Sequence, residues 1–469
     1  MHPSGKSNAL TAAILTAVGI FWAPPAFCAD ASDSPDAAGE QVLTRGPVHE
    51  AFAGVISYKP EPGIAVPKEP PEVVEEVPPS EKPEGENVTW IPGYWAWDDE
   101  RNDFLWVSGI WRALPPGRQW VPGYWGKTGD DYRWTTGYWA DTAATTTTYL
   151  PTPPPATLEA GPNIAAPSQD MVWIPGCWIW ARRHYAWSPG YWMAAQADWE
   201  WSPDYYVWTP RGWVFVDGYW DYTVERRGVL FAPVYFEPRW REHRDYHYSP
   251  SIVIDLAVFP NHLFLRTRDE HYYFGDYYAA SYSNRGFYAS FAFQSHGYGY
   301  DPIYAHQRWE HREDKDWERH VAAKYQNRQD HENVRPVRTW VAQKGVRKIE
   351  AQDENKPVAL PYEQLSKRAD SQRKFQPVAA DEKKQLGQRG QEVKKSREGR
   401  RNLEATPRNP AGEKAHAAGE PSTLALPRSP IVFKPFVAKN GRDQAPPRPG
   451  KAPDRNQKGK RNERDKRGD

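Results

Sequence analysis

Histidines are the residues of this sequence whose spacing could support metal chemistry. His243 and His247 lie four residues apart, as two ligands on one face of a helix would. Three more histidines fall close together further along the chain: His306, His311 and His320. All of them are interleaved with Arg and Tyr and have no identifiable set of carboxylate partners. We therefore expect surface or interface histidines and no metal site.

An acidic cluster offers a second set of possible ligands, in this case for calcium. It consists of Asp98, Asp99, Glu100 and Asp103. The cluster lacks the alternating ligand pattern with a central Gly that a calcium loop requires. A solvated turn is the better interpretation.

Motifs of catalysis are not found in the sequence. It has no phosphate-binding Gly loop followed by Lys and Ser or Thr, no His-Glu-x-x-His, no nucleophile elbow and no paired-Cys metal site. We therefore expect a protein that is not an enzyme and that has no catalytic residue, metal or cofactor.

The strongest pattern is a six-residue motif of Trp, two residues, Gly, usually Tyr, and Trp. Its first copy reads Trp90-Ile91-Pro92-Gly93-Tyr94-Trp95. Intact copies begin at Trp90, Trp106, Trp120, Trp134, Trp173 and Trp187, and degenerate copies begin at Trp201, Phe215 and Phe231. Within each block the copies are about fourteen residues apart, which predicts a domain built from repeats.

Alternation around the motif predicts short β-strands. The residue two positions before the first Trp is often large and apolar or aromatic, as at Phe104 and Tyr132. Pro-Gly or a substitute follows, which is typical of a type II turn in which Gly supplies the positive φ. We predict a mainly β fold, an antiparallel meander in which each motif contributes two short strands.

The degenerate copies test this prediction, because Gly gives way to Asp204 and Val234. Asp tolerates a left-handed backbone, whereas Val does not. We predict that Val234 lies in extended backbone and that Phe231 to Phe236 is a terminal unit with altered geometry.

The Trp and Gly positions of the motif are assigned a structural role, because rings at regular spacing more often fill a core than bind a ligand. This set comprises Trp90, Gly93, Trp95, Trp106, Gly109, Trp111, Trp120, Gly123, Trp125, Trp134, Gly137, Trp139, Trp173, Gly176, Trp178, Trp187, Gly190, Trp192, Gly218 and Trp220. Three Trp residues that lie seven positions into their repeats are the candidates for stacking on a ligand: Trp97, Trp180 and Trp208.

Composition divides the chain into eight segments. They are a signal peptide (1–28), a Pro- and Glu-rich disordered linker (29–87), a first repeat block (88–141), a Thr- and Pro-rich linker (142–170), a second repeat block (171–236), a Tyr-rich β segment (237–300), one long amphipathic helix (301–333) and a disordered basic tail (334–469). The helix should begin with Asp301 as N-cap and Pro302 in its first turn. Within the tail, at most a transient helix is expected near residues 381–404.

The signal peptide is predicted from Lys6, an apolar run from Ala9 to Trp22 and small residues near Cys28. Lipidation of Cys28 is the alternative to cleavage. It is disfavoured because bulky Phe27 stands where bacterial lipoproteins normally have a small residue. Loss of Cys28 would leave Cys177 without a partner for an internal disulfide.

Charge is divided unevenly along the chain. Residues 335–469 contain 33 Lys and Arg against 17 Asp and Glu, a net charge of +16. The whole chain is formally neutral, so the remainder carries −16. The tail should seek polyanions such as lipid phosphates, acidic envelope polymers or nucleic acid, although we expect no specific nucleic-acid binding. A solvated tail that partly folds over its own acidic linker is the alternative.

The motif resembles that of the bacterial secreted proteins called YXWGXW-repeat or WXXGXW-repeat proteins. The resemblance covers Trp90 to Trp139 and Trp173 to Trp220. It implies export and an envelope setting, whether periplasmic, envelope-bound or extracellular. It carries no assigned reaction, cofactor or catalytic residue.

Two classes of function follow from these observations. The first is a non-catalytic scaffold or interaction module whose rings fill its own sheet, while its linkers and tail reach envelope polymers or envelope proteins. The second is carbohydrate or peptidoglycan binding through exposed Trp and Tyr platforms. Exposure of Trp97, Trp180 and Trp208 along one groove would favour the second class.

Overall fold

The segment ahead of the repeats folds onto them. The computed structural model describes Met1 and residues 39–241, 247–345, 357–368, 373–405, 420–436 and 441–449. Between residues 39 and 87, six short strands precede the first repeat: β1 (Glu40–Val42), β2 (Gly46–Pro47), β3 (Ile56–Ser57), β4 (Ala65–Val66), β5 (Glu75–Glu76) and β6 (Glu81–Pro83). Val48, Ala51 and Phe52 are buried in one apolar cluster with Trp120 and Trp139. The prediction of a disordered linker is therefore wrong for residues 39–87. The predicted signal peptide from residue 2 onward, including Cys28, lies outside the described residues.

The repeats form four long hairpins, A to D, and each hairpin uses two copies of the motif. Hairpin A consists of β7 (Val88–Ile91), β8 (Tyr94–Asp98), β9 (Asp103–Val107) and β10 (Ile110–Ala113). Hairpin B consists of β11 (Arg118–Val121), β12 (Tyr124–Thr128), β13 (Asp131–Thr135) and β14 (Tyr138–Asp141), and it is followed by β15 (Thr146–Leu150). Hairpin C consists of β16 (Met171–Ile174), β17 (Cys177–Ala181), β18 (His184–Ser188) and β19 (Tyr191–Ala194). Hairpin D consists of β20 (Trp199–Ser202), β21 (Tyr205–Thr209), β22 (Gly212–Val216) and β23 (Tyr219–Tyr222).

The two motifs of a hairpin pair with one another. In hairpin A, Trp90 lies opposite Trp111, and Trp95 lies opposite Trp106. The ring centroids of these pairs are 5.3 and 5.2 Å apart in T-shaped contacts, a favourable arrangement for aromatic rings. The other hairpins repeat this register. The mainly β, antiparallel prediction is confirmed. The structural unit, however, is a bent hairpin of two motifs and not a two-stranded meander within each motif.

The Gly of each motif makes room for an indole of the partner motif. A Cβ added to Gly109 would lie 2.4 Å from Cζ2 of Trp90, and one added to Gly93 would lie 2.8 Å from Cζ2 of Trp106. Neither Gly has a positive φ. The predicted type II turn is therefore wrong here, because close packing and not a left-handed backbone excludes a side chain.

The ninth motif copy returns to the first hairpin. β24 (Gly228–Leu230) pairs with β10, and β25 (Val234–Phe236) pairs with β9 and β1. Phe231 contacts the ring of Trp90, with centroids 5.7 Å apart. Val234 thus lies in a strand, as the sequence predicts, and the copy adds an edge to hairpin A.

The Tyr-rich segment and the following helices pack around the hairpins. Their elements are α1 (Pro238–Arg241), β26 (His247–Tyr248), β27 (Ile252–Ile254), β28 (Leu263–Arg266), β29 (His271–Phe274), α2 (Ala280–Ser283), β30 (Tyr288–Ala289), α3 (Ser290–Phe293), β31 (Gly299–Tyr300), α4 (Pro302–Glu310) and α5 (Trp317–Asp330). Asp301 caps α4 as predicted, accepting the N–H groups of Ile303 and Tyr304 at 3.0 and 3.2 Å. The prediction of one long helix is wrong, since residues 311–316, which are all charged or His, separate α4 from α5.

The described parts of the basic tail are folded. They comprise α6 (Trp340–Gly345), β32 (Ala359–Pro361), α7 (Tyr362–Ser366), β33 (Phe375–Pro377), α8 (Ala380–Ala405) and β34 (Ser422–Ala425). β33 pairs with β6, β34 pairs with β15, and α8 buries Leu386, Val393 and Arg400. Lys82 forms an ion pair of 2.5 Å with Glu382. In these parts the prediction of disorder is wrong, and the tail folds over the segment that precedes the repeats.

We expect Gly109→Ala to lower the free energy of unfolding by about 2 kcal/mol, because the new methyl group would overlap the Trp90 ring and force a strand to move. Urea denaturation followed by Trp fluorescence measures the change. Gly54→Ala is the matched control, since its added Cβ would have its nearest neighbour at 3.9 Å, and it should cost less than about 0.5 kcal/mol. Equal effects of the two substitutions would contradict the packing role of Gly109.

Candidate functional site

A carboxylate lies at the bend of hairpin A, between its two motif glycines. It belongs to Glu76, in the Pro-rich segment ahead of the repeats. The N–H of Gly93 donates to Oε2 at 2.9 Å, and the N–H of Gly109 donates to Oε1 at 2.9 Å and to Oε2 at 3.0 Å. The indole N–H of Trp106 donates to Oε1 at 3.2 Å. The carboxylate thereby satisfies backbone donors at the two points where the strands are interrupted.

Hairpin B has a carboxylate in the same position, contributed by Glu50. Its two oxygens accept the N–H groups of Gly123 and Gly137, each at 2.9 Å. The hydroxyl of Thr136 donates to it at 3.2 Å. Glu50 is buried, so this carboxylate relies on charge-assisted hydrogen bonds in place of water.

Hairpins C and D complete the series. Glu159, from the linker between the repeat blocks, accepts the N–H of Gly176 at 2.5 Å and the indole N–H of Trp173 at 2.9 Å. In hairpin D the motif itself supplies the group, because Asp204 replaces a motif Gly and accepts the N–H of Gly218 at 2.6 Å. Asp204 does not have a positive φ. We call Glu50, Glu76, Glu159 and Asp204 the bend carboxylates.

Burial controls the protonation of one bend carboxylate. It raises the pKa of Glu76 to about 7, even though the N–H groups of Gly109 and Gly93 and the Trp106 indole favour the ionised form. The folded protein therefore holds a proton between about pH 4.5 and 7 that the unfolded chain has already lost. Across this window the contribution of Glu76 to stability falls as the pH rises.

Indole N–H groups bind main-chain carbonyls of the segments that the sequence predicts to be linkers or tail. The donor and acceptor pairs are Trp95 with Glu72 (2.8 Å), Trp178 with Ala156 (3.0 Å), Trp192 with Ile164 (3.0 Å), Trp213 with Pro60 (3.0 Å) and Trp220 with Pro447 (3.1 Å). Extended Pro-rich chain leaves its carbonyls free of internal hydrogen bonds. The repeats thus bind extended peptide in two ways, through indole N–H groups and through the glycine N–H groups at each bend.

The rings of hairpin C are more accessible than those of hairpins A and B. The buried motif Trp residues are Trp90, Trp95, Trp106, Trp111, Trp120, Trp134, Trp139 and Trp220. The half-buried ones are Trp125 of hairpin B, Trp201 of hairpin D and all four of hairpin C: Trp173, Trp178, Trp187 and Trp192. The motif glycines sit at the bends: Gly93, Gly109, Gly123, Gly137, Gly176, Gly190 and Gly218.

The three Trp residues proposed for ligand stacking lie on three different hairpins. Each is half-buried and packs beside its own neighbours. Trp97 contacts Phe104 at 5.2 Å and Trp180 contacts Tyr185 at 4.8 Å between ring centroids. The guanidinium of Arg133 lies 5.8 Å from the ring of Trp208. The structure therefore does not bring them together as one open platform.

The acidic cluster of hairpin A is neutralised by cationic side chains. The ion pairs are Asp98 with Arg101 (2.7 Å), Asp99 with Arg266, Glu100 with Arg45 (2.5 Å) and Arg338 (3.0 Å), and Asp103 with Lys68 (2.5 Å) and Arg241 (2.9 Å). All four acidic side chains are at most 25% exposed. The cluster does span a turn, between β8 and β9. The prediction that this turn is solvated is wrong, because residues from remote segments cover it.

The described histidines do not assemble with other ligands. Among the residues described by the structure, no group of three or more His, Cys, Asp and Glu could hold a metal ion. His306 lies in α4 next to Glu310, at 3.5 Å, while His320 lies in α5. His243 falls outside the described residues.

The bend carboxylates contributed by other segments were missed at the sequence level. Glu50 stands among the apolar residues Val48, Ala51 and Phe52, whereas Glu76 and Glu159 lie in Pro-rich stretches. Two signals in the sequence could have found them. Glu76 and Glu159 each precede the motif Gly that they bind by 17 residues, and Asp204 is an acid that stands at the motif position of Gly. Asp204 indicates that the bend accepts a carboxylate.

The hairpins match a known repeat. A family model described as the WXXGXW repeat (2 copies) matches residues 86–112, 170–193 and 198–220. These ranges correspond to hairpins A, C and D, so two copies of the motif make one hairpin. Hairpin B has the same register of Trp and Gly. No curated protein and no solved structure matches the chain. Within the described ranges, no helix is long and apolar enough to cross a membrane.

We expect Glu76→Gln to reduce the pH dependence of stability. Wild-type protein should lose on the order of 1–3 kcal/mol from this group between pH 5 and pH 8, because Glu76 must ionise in a buried site. Urea midpoints at the two pH values measure the loss, which should be smaller in the variant. Glu86→Gln, an equal change of charge at an exposed position, is the control. A pH slope in Glu76→Gln equal to that of wild type would exclude this account.

Proposed function

Because this chain is a WXXGXW-repeat protein, we propose that it is a non-catalytic interaction scaffold of the cell envelope. The main support is the set of hydrogen bonds that the repeats donate to segments outside them. Glycine N–H groups and indole N–H groups bind carboxylates and carbonyls of the segments that precede the hairpins. A domain that holds extended peptide by such contacts is suited to hold segments of other proteins as well.

Export to the envelope is supported by the sequence. An apolar stretch from Ala9 to Trp22 follows Lys6 and precedes small residues, as in a signal peptide. A lipid anchor at Cys28 is the less favoured alternative. Detection of the mature amino terminus by mass spectrometry distinguishes cleavage from lipidation.

The basic tail supplies a second way to hold partners, by attraction to anionic surfaces. On α8, the side chains of Lys383, Lys384, Lys394 and Lys395 are exposed, while Arg400 is buried and paired with Glu404. The exposed cations are available to lipid phosphates or acidic polymers. The buried one belongs to the folded core.

Carbohydrate or peptidoglycan binding is the second candidate function. The observation that favours it is the partial exposure of the four motif rings of hairpin C. Indole faces stack on sugar rings when one face is accessible. The segment 152–164 hydrogen-bonds to three of these rings, so a sugar would have to compete with it.

Retention on envelope material tests the scaffold and separates it from the sugar-binding alternative. Purified peptidoglycan and outer-membrane fractions are incubated with the full chain and with Trp178→Ala/Trp187→Ala. An interaction scaffold should be retained by the protein-containing fraction. Retention by protein-free peptidoglycan that the double variant loses would favour carbohydrate binding. Retention by neither material would contradict both functions.

We expect replacement of Lys383, Lys384, Lys394 and Lys395 by Gln to weaken binding to anionic vesicles at low salt at least tenfold, because each cation near such a surface contributes roughly 1 kcal/mol. Co-sedimentation with vesicles measures the loss. The matched control removes four exposed cations outside the tail: Lys59, Lys127, Lys315 and Arg319. A similar loss in both variants would attribute binding to net charge and not to the tail.

A further inference from the structure

We propose that the ring face of hairpin C is a binding site for an extended, Pro-containing and acidic peptide segment of a partner protein, and that residues 152–164 occupy this site in cis. The inference rests on the proposed function and names the chemistry of the partner.

The cis segment is held by side chains and backbone of hairpin C through five hydrogen bonds. Two hold the carboxylate of Glu159, from the Gly176 N–H and the Trp173 indole. The other three hold main-chain carbonyls: Tyr185 with Thr152 (2.8 Å), Trp178 with Ala156 (3.0 Å) and Trp192 with Ile164 (3.0 Å). Four of the five donors belong to side chains that also carry the aromatic face. The ring face therefore binds one acidic side chain and the main-chain carbonyls of three residues of the segment.

Hairpin A binds the segment that precedes it by the same rule. There the carboxylate of Glu76 is held by glycine N–H groups and a Trp indole, and the indole of Trp95 binds the carbonyl of Glu72. In hairpin C the corresponding acceptors are Glu159 and the carbonyl of Ala156. The two segments differ in sequence but share Pro residues, extended chain and one Glu three or four residues after a bound carbonyl. Recognition thus depends on a carboxylate and on free main-chain carbonyls, which segments of other proteins can also present.

The segment on hairpin C is the one suited to exchange. Between β15 and β16 it forms no strand, and most of its residues are exposed. Leu158 and Ile164 are 61% and 63% exposed. Release of the segment therefore exposes little additional apolar area of these side chains. In contrast, the segment on hairpin A pairs with β26 through β5 and buries Pro78 and Pro79. Hairpin C can therefore release its segment while the core of the protein stays folded.

A partner segment of the same chemistry would bind by displacing residues 152–164. Polyproline-like chain suits the site because it is already extended and presents free carbonyls. A glutamate is required because the glycine N–H at the bend and the Trp173 indole converge on one carboxylate. The tethered cis segment competes with an effective concentration on the order of 1 mM, so it limits binding to partners present at high local concentration or with higher affinity.

The test uses a synthetic peptide of residues 151–165 and the full chain. In one variant, residues 152–164 are replaced by Gly and Ser of equal number. Near-UV circular dichroism establishes that its aromatic core is intact. Calorimetric titration should show binding to this variant and binding at least about tenfold weaker to the unaltered chain. The peptide with Glu159→Gln should bind at least fivefold more weakly than the parent peptide. Equal affinity of the two peptides would overturn carboxylate recognition.

A second pair of variants locates the bound peptide. In the replaced chain, Trp178→Phe removes one indole donor but keeps a ring, and should weaken peptide binding severalfold. Trp125→Phe is the matched control, because the Trp125 indole donates to the Trp95 carbonyl, outside hairpin C. Equal losses in the two variants would place the peptide elsewhere and overturn the proposal.

The unaltered chain provides a measurement that does not depend on the replaced segment. A peptide carrying a photoreactive group in place of Thr157, at millimolar concentration, should crosslink to residues 171–194. Absence of this crosslink would overturn the proposal whatever the envelope retention assay shows. If the unaltered chain self-associates and the peptide dissociates it, the occupant is a second copy, which overturns the assignment to a partner protein. Retention on envelope fractions without peptide binding would leave the scaffold function standing and remove this site.

Discussion

The fold depends on how the bend of each hairpin is filled. An indole of one motif occupies the space above the Gly of the other, and this excludes any side chain at that Gly. The same bend leaves glycine N–H groups to be satisfied, and in each hairpin a carboxylate accepts at least one of them. Because three of these carboxylates come from outside the repeats, the hydrogen bonds at the bends also hold the segments that carry them against the hairpins. Aromatic packing and docking of the linker segments therefore both depend on the geometry of the bend.

Much of the local structure could be predicted from the sequence, because alternation and the Trp-x-x-Gly-x-Trp motif act over a few residues. The strands around Trp90 and Trp106 and the cap at Asp301 follow from such short-range rules. The pairing of Trp90 with Trp111 could not be derived this way, since it depends on which motif folds against which. The docking of Glu50 and Glu76 could not be derived from short-range rules either, because each carboxylate binds glycine N–H groups of another segment. Which bend it reaches depends on the tertiary fold.

The division of charge along the sequence has an internal counterpart in the structure. Arg338 of the tail pairs with Glu100 of hairpin A. On α8, Arg400 donates to the carbonyls of Pro122 and Thr136, next to the two motif glycines at the bend of hairpin B. Some cations of the basic tail are thus engaged in contacts within the fold. The exposed lysines of α8 remain accessible to a partner. The net charge of the tail alone would therefore overstate how many of its cations can bind a polyanion.

The head-to-tail matching of Trp90 with Trp111 and of Trp95 with Trp106 imposes a parity rule on this architecture. One extra motif, inserted alone, would have no counterpart for its rings, so the array should lengthen or shorten by even numbers of copies. The unpaired ninth copy, Phe231–Phe236, agrees with this rule. It has neither the Gly nor the Trp residues of the motif, and it lies along an edge of hairpin A. Duplication events in such chains should accordingly involve about 28 residues rather than 14.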